Sequence, residues 1–185
     1  MNRPRIQVPG IYHVNTRGND GAKTFRDVWD FAGFFTILEE VIERMGWRCH
    51  AYVLMTNHYH LIIETFEENL AAGMQLLNRW YSQRFNRRHD RTNHVFGAPY
   101  WSELVTSDEQ LLENVRYVLL NPVRARICDD PADWPASSYN ATVGTAPVPP
   151  FLSVDEVLAL FHKHPARARI RFAEFVRAPL WADAA

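Results

Sequence analysis

The stretch Leu54-Met55-Thr56-Asn57-His58-Tyr59-His60-Leu61-Ile62-Ile63 decides the architecture of this chain. Apolar, β-prone residues flank it, Ala51 to Met55 before and Leu61 to Ile63 after, so it reads as two strands joined by a tight turn near Thr56-Asn57. Residues two apart in a strand point to the same face. The imidazoles of His58 and His60 therefore project together, while Tyr59 and Leu61 face the other way. Two neutral imidazoles side by side form a metal half-site or a phosphate-facing pair. The same spacing is met by two half-buried histidines that each satisfy a backbone carbonyl, so the motif alone leaves both readings open.

Working outward, Gly10 to Thr16 is β-branched and aromatic enough for a first strand, and Arg17-Gly18-Asn19-Asp20-Gly21 is a turn cluster. Phe34, Phe35, Leu38, Val41, Ile42 and Met45 recur at helical spacing and predict a helix from about Asp27 to Met45, stopped by Gly46. The two strands of the opening stretch span Arg48 to Met55 and His58 to Thr65. Leu70, Met74, Leu77, Tyr81 and Phe85 mark the buried stripe of a second long helix that ends before Thr92-Asn93, and Val95 to Val105 supplies a fourth strand. This βαββαβ order predicts an α+β, ferredoxin-like antiparallel sheet with two helices on one face. Beyond it, Trp134 to Tyr139 continues as an irregular wrap, Ser153-Val154-Asp155-Glu156 opens a short helix to about Phe161, and a last helix runs from about Pro165 to Val176. The expected division is a main domain over residues 1–143, a Pro-rich linker over 144–152 and a helical tail over 153–185.

Composition sets limits. A length of 185 residues with 47% hydrophobic content suits one packed domain with a small appendage, and the apolar runs are too short to span a bilayer. The start, Met1-Asn2-Arg3-Pro4-Arg5, has no apolar signal-peptide core, and Cys49 and Cys128 are too few for a disulfide framework, so a reducing cytoplasm is expected. A formal net charge of -1 argues against a general nucleic-acid glue. Arginines are nevertheless clustered: Arg79, Arg84, Arg87, Arg88 and Arg91 are opposed only by Asp90, which leaves room for a local nucleic-acid surface.

A third helix starts at Ser107-Asp108-Glu109-Gln110, a capping box with acids in its first turn, and should end at Asn121 because the residue before Pro122 is pushed out of helical geometry. Its apolar stripe is Leu111, Leu112, Val115, Val118 and Leu119. Tyr117 and Asn121 lie four residues apart on a face well off that stripe. A lone tyrosine there reads as an ordinary half-exposed aromatic. Beside two convergent imidazoles it also reads as a nucleophile next to a metal whose coordination is left open, as catalysis requires.

Four segments together resemble the REP-associated tyrosine transposases, single-tyrosine HUH enzymes. They are Tyr12-His13-Val14-Asn15-Thr16-Arg17-Gly18-Asn19, Ala51 to Leu61, Tyr117-Val118-Leu119-Leu120-Asn121-Pro122-Val123-Arg124-Ala125, and Asp133-Trp134-Pro135-Ala136-Ser137-Ser138-Tyr139. The resemblance runs from about Tyr12 to Tyr139, with a weaker echo in the helical tail. It implies that His58 and His60 are metal ligands, Asn121 is the third ligand and Tyr117 is the catalytic tyrosine, with Mg²⁺ or Mn²⁺ as cofactor. The implied reaction cleaves and rejoins single-stranded or hairpin DNA through a 5′-phosphotyrosine link. Relatives carry a basic segment leading into the fourth strand, whereas this chain has Phe96-Gly97-Ala98-Pro99-Tyr100-Trp101, without the arginine or lysine. The central HUH position is Tyr59, a mild change because it faces away from the metal.

Candidate DNA contacts are Arg17 and Asn19 in the first turn, Arg79 and Arg87 with Gln83 on the second helix, and Arg124 just past Asn121. The bland alternatives are a simple turn and a solvated helix face. Trp80, Trp101 and Trp134 are possible base-stacking platforms, although large aromatics are mostly core. His162-Lys163-His164 repeats the H-x-H spelling near a helix end, where residues two apart point to nearly opposite faces, so it is not expected to bind metal. A monomer or homodimer is expected, cytoplasmic and nucleoid-associated when bound to DNA, with no membrane partner. Two other classes stay open: a metal-dependent hydrolase using water, and a domesticated hairpin-binding protein without strand chemistry.

Overall fold

The computed structural model describes residues 8–182. β1 (Gly10–Arg17), α1 (Val28–Met45), β2 (Arg48–Leu54), β3 (His58–Thr65), α2 (Leu70–Arg88) and β4 (Trp101–Leu104) follow in the expected βαββαβ order. The strands form one antiparallel sheet in the order β2-β3-β1-β4. Asp27 starts α1 by accepting from the N–H groups of Trp29 and Asp30, a cap worth about 0.5–2 kcal/mol. Gly46 ends it at φ 65°, where a side chain would be strained.

Register follows from which side chains must be buried. Tyr59 is fully buried against Phe34, and its hydroxyl donates to Asn78 Oδ1 at 2.5 Å. Tyr12, Val14, Leu61 and Ile63 are buried in the same sheet, and the pairing of Val14 with Leu61 and Tyr12 with Ile63 puts them on the α1/α2 side with Tyr59. Each large apolar side chain buried there contributes about 1.5–3 kcal/mol, so a one-residue slip that exposed the set is strongly disfavoured. The correct register leaves His13, Asn15, His58 and His60 on the opposite face. That face is covered by α3 (Asp108–Leu119), which packs on β2 and β3 through Leu111, Val115, Val118 and Leu119. Ser107 Oγ accepts from the Gln110 N–H, while the Gln110 side chain accepts from the Thr106 N–H.

The structure departs from the sequence reading in several places. The fourth strand spans only Trp101–Leu104, because Pro99 has no N–H for a ladder and the chain bends there; Phe96 makes one isolated bridge to Gly18. The third helix does not simply end at Asn121. Its ladder breaks at Leu120 (φ -87°, ψ 0°) and resumes as a single turn, α4 (Asn121–Arg124), where the missing N–H of Pro122 costs nothing. Arg88 is not an unopposed charge: it bonds Asp27 at 2.7 Å and the buried Asp30 at 2.6 Å. The final helix extends beyond Val176.

The wrap at Trp134 to Ser138 runs along the free edge of β2. The Leu54 N–H donates to Ala136 O, the Ser138 N–H to Tyr52 O, and Trp134 Nε1 to Leu54 O. That edge is thereby closed to further strands. Three helices follow: α5 (Tyr139–Val143), α6 (Asp155–Ala159) and α7 (Pro165–Ala182). Phe151 and Leu152 are buried, Ser153 N–H bonds Cys49 O at 2.8 Å, and α7 packs on α3, α5 and α6 with Phe172 and Val176 fully buried. No described helix is long and apolar enough to cross a membrane.

Candidate active site

Between β1, β3, β4 and α3 lies a depression of about 370 Å³ lined by His13, Asn15, His60, Trp101, Glu103, Asn114 and Tyr117. The rings of His58 and His60 are 5.2 Å apart, and the Tyr117 ring lies 5.6 Å from His60. Tyr117 is 40% exposed, so its phenol is open to solvent within the depression. Asn121 follows one turn later. Its Nδ2 donates to the Tyr117 carbonyl at 3.0 Å, and its side chain is within hydrogen-bonding reach of the His58 imidazole.

Burial favours the neutral form of all three histidines. Burial pushes His60 down to about 3, with the neighbouring His13 and His58 adding to the shift, and burial alone pushes His13 down to about 4. His58 is also lowered, first by burial and further by Arg17, against a smaller opposite pull from Asn121. Tautomers follow from the partners. His58 Nδ1 lies 2.7 Å from Asn57 Oδ1, which only accepts, so the proton is on Nδ1 and Nε2 keeps its lone pair as an acceptor. His60 Nδ1 lies 2.9 Å from His13 Nε2, and one of the two nitrogens carries the shared proton; where His60 is the donor, its own Nε2 keeps a lone pair.

This donor set fits a hard divalent cation. Among the described residues, no three His, Cys, Asp or Glu side chains converge as a metal site. A third ligand beside His58 and His60 would accordingly be neutral. Asn121 qualifies, because its Nδ2 is committed to the Tyr117 carbonyl and its Oδ1 remains an acceptor.

The candidate DNA contacts separate into groups. Arg17 is paired with His58 in the β1–β3 register, and Arg17 and Asn19 line a second depression at the sheet rim. The Arg124 guanidinium lies 4.8 Å over the Tyr117 ring. Arg79 and Arg87 are on α2, beyond the sheet from the depression at Tyr117. Arg79 lines a groove facing residues 92–100, while Arg87 lines another facing α1. Of the tryptophans, Trp101 is 48% exposed, whereas Trp134 and Trp80 are partly buried. His162 and His164 lie in a loop rather than a helix, with rings 5.3 Å apart; His162 Nδ1 accepts from the His164 N–H, which commits one ring nitrogen to the turn.

Sequence reasoning passed over His13, Asn57 and Asn114. The signal for His13 was present, because strand alternation sets it opposite Tyr12 and Val14. What it meets across the sheet depends on β1 pairing with β3, and no local pattern states that. The buried Nδ2 of Asn114, one turn before Tyr117, has no hydrogen-bond partner.

Comparison with known proteins bears on the family and the fold. The family model described as "Transposase IS200 like" matches residues 10–119. A Haemophilus influenzae protein described as a REP-associated tyrosine transposase is 22% identical over 146 residues, covering 72% of this chain and 82% of the relative. A solved structure of a REP-associated tyrosine transposase bound to a REP hairpin superposes with a TM-score of 0.68 at 15% identity, covering 83% of this chain and 91% of the other. At that identity the match speaks for the shared fold.

Proposed function

Because the chain belongs to the IS200-like transposase family, whose model spans residues 10–119, we propose that it cleaves and rejoins single-stranded or hairpin DNA through a covalent bond to Tyr117. The observation that carries this reading is the convergence of an exposed phenol on two neutral imidazoles and an amide. His58, His60 and Asn121 would hold Mg²⁺ or Mn²⁺, which supplies positive charge to the scissile phosphate.

The chain's own residues account for the remaining steps. Asn57 and His13 orient the two imidazoles. Asn121 ties the ligand set to the backbone of the nucleophile. Tyr117 Oη gives up its proton and bonds to phosphorus, the P–O3′ bond breaks, and the departing 3′-oxygen takes a proton. The 5′-phosphate stays on Tyr117 until another 3′-hydroxyl attacks and reverses the step, so joining needs no external energy source. Arg124, over the Tyr117 ring, and Arg17, paired with His58, would offset phosphate charge.

The test is incubation with labelled hairpin DNA and Mn²⁺, followed by mass spectrometry. The expected product is a nucleotide on Tyr117 alone, absent from Tyr117→Phe and from the His58→Ala/His60→Ala double variant. Nicking without an adduct would favour a hydrolase using water. Tight binding without nicking would favour a domesticated hairpin-binding protein.

A further inference from the structure

A separate depression of about 440 Å³ lies between α5 and α7 and shares no residue with the one at Tyr117. Its α7 wall is Ala166, Arg169, Ile170, Ala173 and Arg177, which recur at helical spacing along one face. Tyr139, Asn140 and Val143 of α5 and Ala132 complete most of the lining. The space stays open because Ala132, Ala166 and Ala173 carry only a methyl group each. Gly144 ends α5 at φ 87° and lets the Arg169 guanidinium lie against it, where a Cβ would overlap Nη1.

Three donors in this lining lack an acceptor among the described residues. Tyr139 is fully buried, and its hydroxyl bonds nothing. Arg169 Nε is also buried and bonds nothing. Arg177 gives Nε and Nη2 to Asp130 at 2.8 and 2.9 Å, which leaves Nη1, and its guanidinium lies 5.2 Å over the Tyr139 ring. Asn140, by contrast, is satisfied: it donates to Ala132 O at 2.8 Å and accepts from Thr145 Oγ1 at 3.1 Å. Folded proteins rarely leave a buried donor unpaired. Burial holds the Tyr139 phenol above its ordinary pKa, so the hydroxyl stays a donor. Asp130 offsets the charge of Arg177, the charge of Arg169 remains, and among the described residues no carboxylate lines the depression. Guanidinium and hydroxyl donors without a competing acceptor select an oxyanion, and donors from three side chains suit the several oxygens of a phosphate.

We propose that the α5/α7 depression binds a phosphate group, held by the Arg169 guanidinium, the Tyr139 hydroxyl and Arg177 Nη1. This site is independent of the strand chemistry at Tyr117. Its phosphate comes either from the free ion or from the backbone of bound DNA, and the two sources are separated by experiment. The first arm is thermal melting in rising inorganic phosphate, with ionic strength held constant by sodium chloride. Wild type should show a saturable rise in melting temperature. Arg169→Gln should need roughly tenfold more phosphate, the scale of one lost charged hydrogen bond. Ala173→Leu fills the depression without removing a charge and should lose the response. Tyr139→Phe should melt no lower than wild type without phosphate, because its hydroxyl bonds nothing within the protein, yet respond only at higher phosphate. The second arm is hairpin DNA binding in EDTA, read by fluorescence anisotropy at several chloride concentrations. If the phosphate belongs to DNA, Arg169→Gln and Ala173→Leu both weaken binding, and Arg169→Gln lowers the salt slope by about one. If it is the free ion, hairpin affinity is unchanged in both variants while the melting response is lost. An identical phosphate response in wild type and all three variants is the general salting effect of phosphate and, with hairpin affinity also unchanged, overturns the site. So does the absence of any response in both arms.

Discussion

Replacing His13 by phenylalanine isolates the hydrogen bond beneath the candidate metal site. The ring is retained between Trp101 and Tyr117, whose centroids lie 5.4 and 5.8 Å away, while both nitrogens are lost. His60 is 6% exposed and its Nδ1 has His13 as partner at 2.9 Å, so the substitution buries an unsatisfied ring nitrogen. That costs about 1–3 kcal/mol, and a protein of this size loses roughly 2–4 °C of melting temperature per kcal/mol. A fall on the order of 5 °C is expected in the metal-free protein. With its ring no longer oriented, His60 should also bind metal more weakly, by about 10–100-fold, the usual effect of removing such a support. Calorimetry gives the first quantity, and titration with Mn²⁺ followed by electron paramagnetic resonance of the free ion gives the second. Unchanged Mn²⁺ affinity in a destabilised variant would mean that His13 only fills space, and no change in either would mean that the hydrogen bond does not exist in solution.

Three further outcomes are expected. Gly73→Ala should lower the urea midpoint although alanine is the better helix former by about 1 kcal/mol, because its Cβ would overlap the Trp47 ring and overpacking costs about 1–3 kcal/mol; a raised midpoint refutes the contact. Burial pushes the Cys49 thiol up to about 12, so iodoacetamide at pH 8 should modify Cys128 first and reach Cys49 only on unfolding, which peptide mapping reads directly. The Asp130 carboxyl is held below its ordinary 3.8 chiefly by Arg177, so this pair stabilises the fold above that pH and the contribution is lost as pH falls through the lowered value. With Asp130 38% exposed, the screened pair is worth about 0.2–1 kcal/mol. The melting-temperature gap between wild type and Arg177→Gln should accordingly narrow below pH 4, and a gap that widens there contradicts the assignment.

Local patterns in the chain were enough for the element order, the buried stripes and the faces of His58, His60, Tyr117 and Asn121. Periods of two and about 3.6 residues act within a single strand or helix, and the core demands that each element turn its apolar side inward. The register of β3 was legible for the same reason, since Tyr59, Leu61 and Ile63 can be buried together only one way. Which elements meet was decided by the tertiary structure. The contact of His13 with His60 spans 47 positions and depends on β1 pairing with β3. Arg88 reads as one more free cation until α2 packs on α1 and brings it to Asp27 and Asp30. Trp101 could be assigned neither to core nor to surface until the bend at Gly97–Pro99 shortened β4 and left its indole in the same depression as Tyr117. Periodicity reports which way a side chain points, and only the packing of distant elements determines what stands opposite it.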